Sequence, residues 1–314
     1  MSNQEGGPGR TGKPGRRPKS DSTGEQPIRK AASLSAAPTA DRDGKAAGNR
    51  RRRPPARGGK KMHRAEQASP PPAEPDLLLH RLLYRDGLVL IIDKPAGLPV
   101  HAGPGGGANV EQYLDALRFG LPGLPALAHR LDRDTSGCLV LGRHRKALRK
   151  LGLLFSGGQV DKTYWAVVEG RPPADHGTID LPLKKLTLQK GWRMVAAADG
   201  QTAVTDYRLL GSTDKISWLE LKPHTGRTHQ IRVHCAELGC ALVGDPAYGP
   251  NAARYRAEQV PLHLLARRIA LPLYPKREAI SATAAPPPHM LAALRQCGYV
   301  PETDAAAVPG ESGT

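Results

Sequence analysis

The chain has 314 residues, which is enough for one large or two small domains with a core that needs no disulfide or metal. Its four cysteines include no C-x-x-C pair, which argues against a zinc ribbon, an iron–sulfur cluster or a thioredoxin-type redox site and suits a reducing compartment. No apolar stretch is long enough to span a bilayer and no apolar signal core opens the sequence. We therefore expect a soluble cytoplasmic protein that does not associate with membranes.

Positive charge is concentrated at the N-terminal end. Residues 1–75 hold 17 of the 46 Lys and Arg but only 7 of the 29 Asp and Glu, together with 10 Gly, 11 Pro and no Phe, Trp or Tyr. Such a segment buries too little apolar surface to offset the entropy of ordering, so we predict a disordered basic tail over residues 1–76. The tail serves either as a solvated linker or as an electrostatic tether to RNA or DNA, and its net positive charge favours the tether.

From residue 77 the periodicity predicts short strands mixed with a few helices. The first predicted elements are a β-hairpin (82–84 and 88–93), a helix capped by Asn109 and short strands over 126–130 and 138–141. A basic amphipathic helix follows, with Leu148, Leu151, Leu154 and Phe155 at helical spacing. The last predicted elements are strands over 162–168, 203–210 and 216–222 and a helix over 228–238. Because these elements follow no βαβ rhythm, the pattern favours an α+β protein with no second domain boundary after residue 77. The last residues, 301–314, are predicted to form a second disordered tail.

The first polar cluster that could carry chemistry is His-Arg-Leu-Asp-Arg-Asp-Thr-Ser-Gly at 129–137. It places Asp132 and Asp134 among basic side chains in a turn between apolar strands. A carboxylate in a partly buried loop is destabilising unless a cation or N–H groups compensate its charge. The cluster is therefore a candidate functional site. The alternative interpretation is that both aspartates only cap the turn.

Two further clusters follow, at Lys162-Thr163-Tyr164 and at 224–234, His-Thr-Gly-Arg-Thr-His-Gln-Ile-Arg-Val-His. A single tyrosine in a strand is usually a core residue. The three histidines recur every five residues and would lie about 140° apart on a helix, whereas a helical zinc pair prefers i, i+4 spacing, so no metal site is predicted. Arg227 and Arg232 remain available to pair with a carboxylate or a phosphate.

Taken in order, the clusters resemble the RluA family of RNA pseudouridine synthases over about residues 82–273. The matching motifs are KPAGLPVH (94–101), HRLDRDTSG (129–137), KTYWAVVEG (162–170), HTGRTHQIRVH (224–234) and GDPAYG (244–249). The resemblance implies a mixed, largely antiparallel central sheet flanked by helices, in a catalytic domain over residues 77–300. It also implies that uridine is isomerised by cleaving the bond from N1 to C1′, turning the base and rejoining it through C5, without a cofactor or a metal.

The resemblance also assigns residues. Asp132 is the essential carboxylate, acting on the ribose either as a nucleophile at C1′ or as a base, and Arg232 forms its salt bridge. Tyr164 packs against the target uracil and could assist the final loss of the proton from C5. Arg130 helps to displace the target nucleotide from its stack. The other expected RNA contacts are His129, Arg227, His229 and Lys94.

The expected partner is structured RNA, either ribosomal or transfer RNA, bound by a monomer with no protein partner implied. Many relatives carry an N-terminal S4 RNA-binding domain, and residues 1–75 are too polar to form one, so no particular large-subunit RNA target follows. Two alternatives are a non-catalytic RNA-binding protein on the same scaffold and a hydrolase that uses Asp132 with Asp134. The intact Asp132, Tyr164 and Arg232 disfavour the first, and the i, i+2 spacing of the aspartates disfavours the second.

Overall fold

The computed structural model describes residues 74–103, 106–189 and 191–301, so all but the ends of the two predicted tails lie outside it. The strands are β1 (Leu82–Arg85), β2 (Val89–Lys94), β3 (Ala126–Leu127), β4 (Ser136–Gly142), β5 (Asp161–Glu169), β6 (His176–Asp180), β7 (Leu183–Thr187), β8 (Trp192–Ala196), β9 (Val204–Ser212), β10 (Ile216–Pro223), β11 (Leu264–Leu271) and β12 (Ile280–Thr283). The helices are α1 (Arg145–Ser156), α2 (Gln230–Glu237), α3 (Ala252–Glu258) and α4 (Pro288–Gln296), with 3-10 turns at Leu79–Arg81 and Val110–Tyr113.

One ten-stranded sheet organises these elements. Its main path runs β1-β2-β4-β11-β5-β10-β9-β6, with β12 added to β11 and β3 added to β4, while β7 and β8 form a separate hairpin. Within the described residues β11 and β4 are the one parallel pair, and all other neighbouring strands are antiparallel. The predicted mixed, largely antiparallel sheet is confirmed.

The centre of the sheet is covered on both faces. Val89 and Ile91 of β2 pack with Leu151 of α1 and Leu294 of α4 on one face. The intervening residues of β2 pack on the other face beneath the segment that holds the second 3-10 turn. Because successive side chains of a strand point to opposite faces, this double cover explains why β2 is an uninterrupted apolar run.

Helix α2 lies on the same face as that segment, over β5 and β10. Its Ile231 and Cys235 pack against Ala166 of β5 and Leu219 of β10. Tyr164 of β5 contacts both this cluster and the one beneath the 3-10 turn. It therefore lies at their junction, where the polar motifs converge.

Several predicted elements are confirmed and others are corrected. The hairpin β1–β2, the basic helix α1 and strands β5, β9 and β10 lie where the pattern placed them. The helix expected after Asn109 is only a four-residue 3-10 turn, although Asn109 does cap it by accepting a hydrogen bond from the Glu111 backbone N–H (3.1 Å). Helix α2 begins at Gln230 rather than at 228, because residues 224–229 form an ordered loop that ends in a left-handed residue, His229 (φ 53°).

No described helix has the length and apolarity needed to cross a membrane. All four cysteines are buried and unpaired with one another.

The parallel contact between β4 and β11 depends on a glycine. Gly137 has φ +104°, and a Cβ at this position would lie 2.3 Å from the Ala266 carbonyl oxygen. We predict that Gly137→Ala costs about 3 kcal/mol or more of unfolding free energy, because both the conformation and the close approach exclude a side chain. Urea denaturation measures this effect.

Gly152→Ala is the matched control for that substitution. Gly152 is exposed on α1 with open space around it, so alanine there should stabilise the protein by about 0.5–1 kcal/mol. Equal effects of the two substitutions would contradict the assignment of Gly137 as the residue that permits the β4–β11 contact.

Candidate active site

The turn between β3 and β4, which carries Asp132, is held from below by a buried lysine. Lys94, at the end of β2, is 0% exposed, and its Nζ donates hydrogen bonds to the carbonyl oxygens of Pro95, Leu98 and Arg133, each at 2.8 Å. The Arg133 carbonyl also accepts from the Gly97 N–H at 3.0 Å. Because Arg133 follows Asp132 directly, these bonds fix the backbone beside the carboxylate.

The prediction that Lys94 contacts RNA is therefore wrong. Burial lowers its pKa to about 8, an effect that Asp134 and Asp132 oppose, so the ammonium group still predominates at neutral pH. All three of its N–H groups are used by the protein's own carbonyls. No local pattern indicates this role, which depends on burial and on a contact with a residue 39 positions further along the chain.

Asp132 sits between two nitrogen groups that are close but not in direct contact. Its side chain is 20% exposed, and its Oδ2 lies 3.9 Å from Arg232 Nη1 and 3.9 Å from His229 Nε2. Both separations exceed hydrogen-bonding length. The carboxylate is thus near positive charge while its oxygens remain available to a substrate.

Arg232 is held mainly by a different carboxylate from the one the resemblance implied. Its Nε and Nη2 donate to Asp245 at 2.8 and 2.7 Å, and both side chains are buried. Asp245 Oδ1 also accepts from the backbone N–H groups of Ala247 (2.9 Å) and Tyr248 (3.1 Å). Burial alone would lower the pKa of Arg232, but the Asp245 hydrogen bonds and charge, with Asp132, raise it. The guanidinium is fixed by Asp245 and directs Nη1 towards Asp132.

His229 reaches Asp132 from the other side, and its proton position follows from its neighbours. Its Nδ1 is 2.8 Å from the hydroxyl of Tyr248, which itself accepts from the Met194 backbone N–H at 3.1 Å. Burial raises the pKa of Tyr248 and lowers that of His229, so the phenol keeps its proton and the imidazole is neutral. We infer that the phenol donates to Nδ1 and that the Nε2–H faces Asp132.

Seven of the eight predicted site residues line one cavity of about 240 Å³, Lys94 being the exception. They are His129, Arg130, Asp132, Tyr164, Arg227, His229 and Arg232. Drug-sized pockets occupy about 300–1,000 Å³. This smaller cavity therefore suits a single nucleotide base rather than a base-paired segment of nucleic acid. A larger open cavity of about 640 Å³ lies near the start of β1 and contains none of the polar motifs.

Two wall residues of the cavity, Tyr164 and His129, are electrically neutral. Burial and the nearby Asp132 raise the pKa of Tyr164, so its phenol stays protonated. His129 Nε2 accepts from the Val140 N–H at 3.0 Å, its ring stacks on Phe155 at 4.6 Å, and burial lowers its pKa to about 4. His129 can therefore shape the cavity but brings no charge to a phosphate.

The two remaining arginines lie at the exposed rim. Arg130 follows His129 and is exposed, and Arg227 is exposed with its Nε donating to the Thr202 carbonyl at 3.0 Å. Asp134, by contrast, does not line the cavity and pairs with Arg133 at 2.9 Å. A hydrolase pair needs two carboxylates facing one bond, so this arrangement removes the hydrolase alternative.

Sequence reasoning missed Asp245 and Tyr248 as site residues. Both belong to the motif Gly-Asp-Pro-Ala-Tyr-Gly, which contributed to the resemblance but received no role. A buried aspartate directly before a proline-containing turn was the available signal, because a carboxylate at such a position needs a cationic partner.

A carboxylate beside a fixed arginine, in a cavity sized for one base, agrees with the family that the motifs resemble. Residues 88–237 match the family model described as RNA pseudouridylate synthase. The chain is 50% identical over 177 residues to an uncharacterized RNA pseudouridine synthase of Zymomonas mobilis, covering 56% of this chain and 81% of that protein. It is 34% identical over 263 residues to the mitochondrial pseudouridylate synthase RPUSD4 of Rattus norvegicus, covering 70% of each.

A solved structure agrees with these sequence matches. Human RNA Pseudouridylate Synthase Domain Containing 4 superposes with a TM-score of 0.59 at 31% identity, over 70% of this chain and 95% of that one. The chain belongs to the RNA pseudouridylate synthase family, whose members isomerise uridine in RNA to pseudouridine.

The role of Lys94 can be tested by removing its ammonium group. Lys94→Met keeps most of the side-chain volume but leaves three carbonyl oxygens without their donor. We predict a loss of about 3 kcal/mol or more of unfolding free energy, together with a lower isomerisation rate, because the backbone beside Asp132 is released. Urea denaturation and single-turnover kinetics measure the two effects, and wild-type values for both would contradict the role.

The Arg232–Asp245 pair makes a separate prediction. Asp245→Asn leaves a buried guanidinium without its charge partner and should cost about 3–5 kcal/mol of unfolding free energy. Asp175→Asn is the matched control, because Asp175 pairs with Arg171 in an exposed salt bridge whose loss should cost less than about 1 kcal/mol. Thermal and urea unfolding compare the two variants, and similar small losses would show that the buried pair does not hold the site.

Proposed function

We propose that this enzyme isomerises uridines in structured RNA, either ribosomal or transfer RNA, with Asp132 as the essential carboxylate. The observation that carries the proposal is the position of Asp132, on the cavity wall with Arg232 and His229 each 3.9 Å from one oxygen. The Arg232 guanidinium supplies positive charge beside the carboxylate in either chemical role. The His229 N–H faces the same oxygen from 3.9 Å as an uncharged group.

In the proposed reaction Asp132 acts on the ribose of the target uridine. As a nucleophile, it forms a bond to C1′ while the N1–C1′ bond breaks and its electron pair leaves with the uracil. As a base, it removes a proton from the sugar as the same bond breaks. In both routes the uracil turns and C5 bonds to C1′. In the nucleophilic route the bond between Asp132 and C1′ breaks in this step, and in the base route Asp132 returns the proton to the sugar. The proton on C5 is then lost and N1 gains one, which completes the isomerisation.

Tyr164 supports the proposal as the surface for the displaced base. Its ring lies at the junction of two core clusters, and an aromatic face stacks well on a nucleobase. Because its pKa is raised, the hydroxyl is a hydrogen-bond donor and not a ready phenolate base. We propose that Tyr164 orients the uracil during its rotation. We also propose that its hydroxyl, as a hydrogen-bond donor to the base, assists the final loss of the proton from C5.

The rim arginines complete the proposed RNA contacts. Arg130 and Arg227 are exposed beside the cavity mouth, where phosphates of the target nucleotide and its neighbour would lie. We propose that Arg130 helps to displace the target nucleotide from its stack. We further propose a monomer acting in the cytoplasm, on the basis of the sparse cysteines and the composition of the sequence.

The central test is Asp132→Asn. The amide keeps the volume but can neither attack C1′ nor accept a proton, so we predict a loss of about 10⁴-fold or more in single-turnover rate with little change in RNA binding. Tritium release from RNA labelled at uracil C5 measures the rate. Asp134→Asn is the matched control and should stay within a few-fold of wild type, because Asp134 lies outside the cavity. An Asp132→Asn enzyme that retains more than a few per cent of the rate would overturn the assignment.

The RNA target requires a separate experiment. Pseudouridines mapped in ribosomal and transfer RNA from a strain lacking the gene, against its parent, should reveal one or more sites that disappear. If no pseudouridine disappears from either RNA class, the proposed substrate is contradicted. The role of Asp132 is tested separately by the tritium assay.

A further inference from the structure

The exposed face of α1 carries four positive charges that pair with no carboxylate among the described residues. Arg145, Lys146, Arg149 and Lys150 are all exposed, and the helix contains no Asp or Glu. Among the described residues, no carboxylate pairs with any of the four. We call these four residues the α1 basic face.

Helix energetics do not account for this arrangement. Arg145 and Lys146 lie in the first turn, where the helix dipole favours negative charge. Arg145 with Arg149, and Lys146 with Lys150, place like charges at i, i+4, which is destabilising by a few tenths of a kcal/mol per pair. The helix is held instead by buried Ala147 and Leu151 and by its cap. The charges oppose the helix that carries them, which points to an anionic partner.

The position of α1 identifies where that partner would lie. Phe155, in the last turn, lines the active-site cavity and stacks on His129. At about 1.5 Å per residue, Arg149 and Arg145 lie about 9 and 15 Å from Phe155 along the helix axis. The basic face thus begins about 9 Å along the helix axis from a residue that lines the cavity, on a helix that is packed firmly against the sheet.

We propose that the α1 basic face binds the phosphate backbone of the substrate RNA several nucleotides away from the target uridine. This inference rests on the proposed function, in which the target base enters the cavity beside Asp132. Contacts from arginine and lysine to phosphates are independent of sequence, so the face sets the path and register of the RNA and does not select the base. In this arrangement the cavity holds the target base for the reaction, and the charged helix binds the RNA backbone.

The test compares two variants that remove equal charge. In the first, all four residues of the α1 basic face become Gln, which keeps side-chain length and helix propensity. In the matched control, four exposed residues outside the cavity become Gln, namely Lys215, Lys276, Arg277 and Arg295. Circular dichroism verifies that both variants fold. The probes are fluorescein-labelled oligouridylates of about 20 and about 2 nucleotides. The first is longer than the usual site sizes for single strands, and the second is too short to extend from the cavity to Arg149 or Arg145.

With the long probe, we expect the α1 variant to bind about tenfold or more weakly at low salt. Its slope of log affinity against log salt should be reduced by up to about 2.8, since each lost contact with a single strand contributes roughly 0.7. The control should keep the wild-type slope. With the short probe, both variants should bind as wild type does, because a strand that only fills the cavity does not reach Arg149 or Arg145.

Two results would overturn the proposal. Equal salt slopes for the two variants would show that α1 contributes no more than any exposed cation. An equal loss on the short probe would place the contact at the cavity mouth and not several nucleotides away.

Tritium release separates this inference from the proposed function. If the wild-type enzyme releases tritium and the α1 variant keeps the wild-type salt slope, only the proposed RNA path along α1 is rejected. If the α1 variant has a reduced slope but the wild-type protein releases no tritium from any RNA, the proposed function is rejected and α1 remains an RNA-binding surface.

Discussion

The site depends on one buried ion pair. Arg232 donates two charge-assisted hydrogen bonds to Asp245, and Asp245 Oδ1 accepts two more from the backbone that follows it. Burying two charges is costly, and the cost is met only when the geometry is good and the remaining lone pairs are used. This pair meets both conditions. It joins the first turn of α2 to the loop after Gly244, and so decides where Nη1 of Arg232 points.

Asp132 is then positioned from two directions. Lys94 fixes the backbone beside it through the Arg133 carbonyl, while Arg232 and His229 approach its carboxylate without closing on it. A carboxylate already tied by short hydrogen bonds would be a poorer nucleophile or base, because those bonds would have to be given up in the reaction. The gap of 3.9 Å keeps the favourable field of the cation and leaves the oxygens unengaged.

The histidines and tyrosines of the site are neutral, since burial lowers the pKa values of His129 and His229 and raises those of Tyr164 and Tyr248. The charge in the cavity is therefore carried by its carboxylate and its lysine and arginine side chains, among them Asp132 and Arg232. Further exposed cations lie at the rim and along α1. Exposed cations of this kind bind the RNA backbone whatever its sequence.

Local pattern was sufficient for the hairpin β1–β2, for α1 and for strands β5, β9 and β10, because their apolar residues recur at the period of the element they form. It was not sufficient for β6, β7 and β8, whose residues are largely exposed and carry little periodicity, or for β11, which acquires its place from β4 and β5 on either side.

The same division holds at the active site. The sequence by itself determined which side chains are proposed for the chemistry, since Asp132, Tyr164 and Arg232 stand in motifs whose order is informative without coordinates. Only the tertiary structure decided their partners: Arg232 binds Asp245 before Asp132, and Lys94 turns inward to three carbonyls and away from RNA. Partner choice depends on which groups burial leaves within hydrogen-bonding distance, and that is a property of contacts between distant segments, which no local pattern contains.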